Sequence, residues 1–330
     1  MRNDTVPTEV IREAVRLACR APSLHNTQPW LWQVDGRTVE LFLDKDRVLH
    51  GTDHLGRAAL LACGAVLDHF RVAMAGAGCT ARVERLPDCD NPLLLARFDV
   101  TAAECVTDDQ RRRADAIRRR RTDRLPFDAP PDWDHLEARM ERIVTADVVR
   151  VDTVPDEYRV ELAEASQLTE LLRQYDSSYH AELRWWTEAF NTTQGIPRSA
   201  LVSGGEGDGI DVGRRFPVGS PSDERASLGQ DHSKVLVLST HDNRRSSVLQ
   251  CGEMLSAVLL EATMAGLATC TLTHITELRA SRRIVAALID QTTTPQVLVR
   301  VGVAPKIETP PPPTPRRPMD EVFHVRAECR

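Results

Sequence analysis

The sequence predicts an α+β fold, and three observations carry that prediction. Long segments with helical periodicity recur at 7–20, 55–76, 134–144, 155–191 and 246–265. Short apolar runs bounded by turn residues stand beside them, as at 38–43, 93–100, 234–239 and 296–303. Two of the long helices also look alike: LDHFRVAMAGAGCT, ending at Thr80, and LLEATMAGLATCT, ending at Thr271, share MAG and Cys-Thr, and a Cys-Gly precedes each. The register around Cys-Gly differs by two residues. Convergence of two Ala-rich buried helices explains the match as well as an internal repeat does, and the repeat alone leaves both readings open.

In chain order, residues 7–20 form a helix with Thr8 as N-cap and Val10, Ile11, Val15, Leu17 and Ala18 available for packing. The loop APSLHNTQPW, 21–30, follows, crowded with hydrogen-bonding side chains. Residues 31–34 and 38–43 form a hairpin about Asp35-Gly36, a dipeptide suited to a tight turn. Leu55–Gly76 reads as a long buried helix, whose small residues Ala58, Ala59, Ala62, Gly64 and Ala65 permit close approach of another helix. Val83 and Leu93–Val100 fit strands.

An arginine island then runs from Arg111 to Arg124, with eight arginines against two aspartates. The Pro-rich RLPFDAPPDW is a connection. Helical segments at 134–144 and 155–191 lead into a Gly-, Ser- and Pro-rich stretch, about 191–230, of the kind that forms a functional lid or a disordered insertion. Lys234–Ser239 is a strand, 246–265 a second buried helix, 269–275 a loop, 277–289 a helix and Gln296–Val303 a strand. The tail PPPPTPRRP, 310–318, is stiff and extended.

Composition bounds the function. Apolar residues make up 42% and charged residues 27% of the 330. With no signal-peptide core and no unbroken apolar run of bilayer length, the expectation is a cytoplasmic protein. Eight scattered cysteines without CxxC, and histidines without HExxH, leave no metal site to assign. A net charge of −6 and an arginine island without interleaved aromatics argue against nucleic acid. An Arg fork with Thr122 among it suits a phosphate instead. Arg316 and Arg317 on the proline rod would reach a ligand at little entropic cost.

Pro22-Ser23-Leu24-His25-Asn26-Thr27-Gln28-Pro29-Trp30, Arg120-Arg121-Thr122-Asp123-Arg124-Leu125-Pro126-Phe127, Gly266–Thr273 and the closing 301–318 together resemble the FMN-dependent nitroreductase family, in its Acg-type actinobacterial group. In ordinary members the Arg element precedes PSxxNxQ, and each flavin lies between two subunits. Here the order is reversed. The resemblance therefore implies two fused nitroreductase-like halves, 1–110 and 111–330, with mainly antiparallel sheets flanked by helices. It implies a pseudo-dimer in one chain that binds one FMN, a monomer compatible with homodimer formation, and the 191–230 insertion as a lid. By motif position, Arg120 and Thr122 would bind the ribityl phosphate or chain, and Arg124 the pyrimidine edge. Arg317, with Arg316, would hold the phosphate. Pro22, Ser23 and Asn26, with Arg20 and Gln28 in the same stretch, would close the site, and Thr271, Leu272 and Thr273 would face the ring.

No side chain is assigned as catalytic, because flavin N5 carries the chemistry. The implied activity is hydride transfer from NAD(P)H to an acceptor such as a nitroaromatic or a quinone. Thr273-His274 stands where the family commonly has Glu-Gly. That bulk and the insertion motivate the alternative of an FMN-sequestering protein that turns over little.

Overall fold

Two sheets flank a pair of long central helices in the computed structural model of the chain, which describes residues 6–144, 147–187, 194–202, 209–216, 229–289, 292–307 and 311–326. The first sheet has the order β3-β4-β2-β1-β9, from β1 (Trp30–Asp35), β2 (Thr38–Leu43), β3 (Cys79–Arg85), β4 (Leu94–Ala102) and β9 (Phe323–Val325). The second is β5-β6-β8-β7, from β5 (Val149–Thr153), β6 (Lys234–Thr240), β7 (Ala268–Leu272) and β8 (Thr294–Gly302). All pairings are antiparallel except the parallel contact of β9 with β1. This is the expected α+β architecture.

Alternation along the strands explains the layering. In β6, Leu236 and Leu238 join the main core beside the central helices, while Val235 and Val237 join a second core on the opposite face. In β8, Val297 and Val299 face the first core and Leu298 the second. In the first sheet, Trp32 packs 5.0 Å from Phe70 of the central helix, and Phe70 lies 4.9 Å from Phe98.

The central helices are α2 (Arg57–Gly76) and α7 (Arg245–Met264). Helix α2 is long and apolar enough to cross a membrane by length and composition, yet 89% of that span is buried within the protein. The two cross at their Cys-Gly pairs. A Cβ on Gly64 would lie 2.0 Å from the Leu249 carbonyl oxygen, and one on Gly252 would lie 2.1 Å from that of Leu61. The contact is reciprocal, with each glycine against the carbonyl three residues before the other. The two helices therefore correspond through Cys63-Gly64 and Cys251-Gly252, and the shared MAG is two residues out of that register.

Several boundaries differ from expectation. The stretch 269–275, read as a loop, is β7 followed by the short helix α8 (His274–Glu277). Its small residues conceal an alternation in which Cys270 and Leu272 fill the second core. The helix expected over 155–191 breaks into α5 (Arg159–Arg173) and α6 (Ser177–Thr187), because the Asp176 carboxylate accepts from the Tyr179 amide and starts a new helix. Pro7, not Thr8, occupies the cap position of α1 (Thr8–Ala18). The first part of the arginine island is helix α3 (Asp108–Arg119), opened by a Thr107/Gln110 capping box.

Candidate functional site

The loop between α1 and β1 is strained where its polar residues cluster. His25, Asn26 and Gln28 all have positive φ, at 49°, 60° and 52°, a region that costs a non-glycine residue about 1–2 kcal/mol. Hydrogen bonds hold it there. The Ser23 hydroxyl accepts from the Gln28 amide at 3.0 Å, and the Asn26 amide donates to the carbonyls of Gly195 and Pro315, both at 3.0 Å. The Gln28 side chain accepts from the Arg317 amide at 3.0 Å. One loop thereby ties together the N-terminal segment, the insertion and the tail.

This loop separates two connected cavities. The larger, about 590 Å³, is bounded by Pro22–His25, by Leu61, Ala62 and Leu255 of the central helices, by Cys270–His274 and by residues of the insertion. The smaller, about 100 Å³, is bounded by Arg20, Asn26, Arg118–Arg121 and Arg316. Pro22, Ser23, Thr122, Arg124 and Ile196 border both.

Clustered positive charge defines the smaller cavity. Arg120 and Arg316 both donate to the Arg20 carbonyl, at 3.1 and 3.0 Å, and Arg316 also donates to the Cys19 carbonyl at 2.8 Å. The Arg20 guanidinium donates to the Arg118 carbonyl at the end of α3, at 3.1 Å. Among the described residues, no carboxylate lines this cavity. Arg120 is 6% exposed, and its Nε and Nη1 have no partner among the described residues. Burial, and then Arg316 and Arg20, push its pKa down to about 9; burial and Arg20 push that of Arg316 to about 10.

The larger cavity is more apolar, with polar groups at selected points. Arg124 donates to the Ala200 carbonyl at 3.2 Å and lies 5.6 Å from the Phe216 ring. The Thr271 hydroxyl is buried without a partner. His274 Nε2 lies 2.8 Å from the Ser166 hydroxyl, which donates to the Gly213 carbonyl. Burial, and then nearby arginines, hold His25 and His274 well below the usual histidine pKa, so both are neutral. Ile196, Val202, Ile210, Asp211 and Gly213–Phe216 contribute to the cavity lining. These belong to the 191–230 insertion, of which 191–193, 203–208 and 217–228 lie outside the described residues. The wall is anchored by Asp211 and Asp231, both paired with Arg159, and by Arg300 against Asp231 at 2.9 Å. Arg214 pairs with Glu277.

The structure therefore brings Arg20, Pro22, Ser23, Asn26, Arg120, Thr122, Arg124, Thr271, Leu272, Thr273 and Arg316 to one connected space. It does not bring Gln28 or Arg317 there. Arg317 pairs with Asp44 at 3.1 Å and with Glu321, while Gln28 clamps the Arg317 backbone. The sequence motif contained His25 without giving it a role, while Ser166, Arg214, Phe216 and Arg300 were passed over. Each of the latter reaches the cavity only through long-range packing, and none carried a local signal beyond its residue type.

Comparison with known proteins follows the same lines. No protein-family model matches the chain. The chain is 66% identical over 328 residues to "Putative NAD(P)H nitroreductase acg" of Mycobacterium tuberculosis, covering 99% of each chain. It is 36% identical over 324 residues to a second NAD(P)H nitroreductase so designated in that organism, covering 95% of this chain and 91% of the relative. Among solved structures, the FMN and NADPH-dependent nitroreductase NfnB of Sphigopyxis sp. aligns with a TM-score of 0.40 and 18% identity, over 64% of this chain and 96% of that one.

Proposed function

The chain belongs to the Acg group of NAD(P)H nitroreductases, and from that premise we propose that it binds one FMN and works as a flavin oxidoreductase. The observation that carries the proposal is the trio Arg20, Arg120 and Arg316. These guanidinium groups converge, with no lining carboxylate among the described residues, on a small cavity that shares lining residues with one large enough for a ring system. Buried cations are stable only when paired, and a phosphate is the partner that fits this fork of donors.

Arg20, Arg120 and Arg316 would hold the phosphate, and Thr122 the ribityl chain. Arg124 would meet the pyrimidine edge of the ring, and Leu61, Ala62 and Leu255 would pack beneath it. When bound, the flavin supplies two-electron transfer through its N5 atom, from NAD(P)H to an acceptor such as a nitroaromatic or a quinone. Thr271–Thr273 would orient the ring, and a cation at Arg124 favours negative charge developing on it. Neutral His25 and His274 can hold or accept hydrogen bonds but add no charge. The two halves, 1–110 and 111–330, would form an internal pseudo-dimer, each supplying part of the cavity lining, with the helix crossing at Gly64 and Gly252 near its axis.

The insertion wall favours a second reading, a protein that sequesters FMN beneath a lid formed by Ile196, Val202, Ile210, Asp211 and Gly213–Phe216. Absorbance separates the readings. Purified protein should be yellow. Bleaching by NADPH within seconds, followed by turnover on a nitroaromatic, supports the oxidoreductase; bound flavin that stays oxidised supports sequestration. A colourless protein that takes up no added FMN would refute both.

A further inference from the structure

The small cavity carries more positive charge than one phosphate neutralises. Its floor is Arg20, Arg120 and Arg316, and its mouth is Arg118, Arg119 and Arg121. Arg118 is already paired with Asp115, at 2.7 Å. Arg119 and Arg121 are exposed and have no hydrogen bond or ion pair among the described residues. They flank Arg120, whose backbone is extended at φ −57° and ψ 129°. Extended geometry sets alternate residues roughly 7 Å apart. The middle guanidinium is thus buried in the floor while its two neighbours stand at the rim of the same cavity. A phosphate monoester brings at most two negative charges, and the floor alone can match them. The rim pair is left for another anion placed next to the first.

We propose that Arg119 and Arg121 form a second phosphate subsite continuous with the first, so that the site takes a diphosphate-linked flavin, flavin adenine dinucleotide, as well as the mononucleotide. The assignment rests on the flavin reading above. A cavity of about 100 Å³ has no room for adenosine, which would lie outside along the arginine-bearing surface. Recognition of the longer ligand therefore depends on its second phosphate, and on charge more than on shape. Exposed contacts of this kind weaken with salt.

Titrating FMN and flavin adenine dinucleotide into the full-length, flavin-free chain, by quenching of flavin fluorescence, tests the assignment. In the parent at low salt the dinucleotide should bind within about tenfold of FMN. R119Q/R121Q, at two exposed positions, should weaken the dinucleotide about tenfold and FMN less than about threefold. The dinucleotide should also lose affinity more steeply as salt rises. Rejection of the dinucleotide by a parent chain that binds FMN would overturn the assignment, as would equal losses for both ligands. A variant that raises KM for NADPH but not NADH, with dinucleotide binding unchanged, would also overturn it and give the rim to a nicotinamide 2′-phosphate. Failure of both flavins to bind is a different result, and it would remove the flavin reading itself.

Discussion

On the flavin reading proposed above, Arg120 costs stability and serves binding at once. It is buried beside two other arginines, with two of its nitrogens unpartnered. Arg120→Gln should therefore stabilise the ligand-free chain by roughly 1–2 kcal/mol, because a buried uncompensated charge is removed. The same change should weaken FMN about a hundredfold. Urea melts and a flavin titration check the opposite signs, and parallel losses would contradict them. Asn26 is the converse case. Its amide satisfies the Gly195 and Pro315 carbonyls across the site, so Asn26→Ala should destabilise by about 2–3 kcal/mol and weaken flavin binding as well. The sequence displayed the crowding of polar side chains at 23–28 but not its cause. Left-handed backbone at three non-glycine residues is invisible in residue types, and so is a tail that returns from nearly 300 residues away.

Elements were the more legible scale. The hairpin, both central helices and β6 and β8 followed from periodicity and turn residues, because each has one clearly apolar face or is buried throughout. The strand β7 was missed, since Thr, Cys and Thr carry little hydrophobic signal and its partner β8 determines its state. The break at Asp176 was missed because a capping side chain outweighed otherwise continuous helical periodicity. The motifs named many of the residues that line the two cavities; the 191–230 stretch was expected as a lid, but without periodicity it did not reveal which of its residues turn inward. The central crossing gives the firmest test at this scale. Gly252→Ala places a methyl group against backbone with no flexible side chain to yield. It should cost about 3 kcal/mol or more and should also loosen the cavity, whose floor is the same pair of helices. Thermal unfolding that stays within about 1 kcal/mol of the parent would contradict the close crossing.

At the scale of the whole molecule, acidity should act on the core and the site together. Burial, followed by neighbouring arginines, holds His25, His69 and His274 well below their unfolded pKa. The unfolded chain thus binds more protons below about pH 6.5. Their contribution is complete above that pH and declines as pH falls, by at most about 1.4 kcal/mol per pH unit for each histidine. Urea midpoints measured from pH 8 to 5.5 should be flat at first and then drop, and a midpoint that rises on acidification would contradict neutral burial. Lower still, Asp231 loses its role. Burial raises its pKa, but Arg300, the Phe127 amide, Ser233 and Arg159 outweigh burial and hold it below the usual carboxylate range. Its anchoring of the insertion wall should therefore survive to below about pH 4. The parallel strand Phe323–Val325 has a consequence in time as well as in space. On the ribosome, the first sheet stays one strand short until Phe323–Val325 has been made, and the arginine cavity lacks Arg316 until synthesis has passed that residue. On the flavin reading proposed above, cofactor capture waits for that late segment, and a chain stopped at residue 310 should emerge colourless however well its two cores have formed.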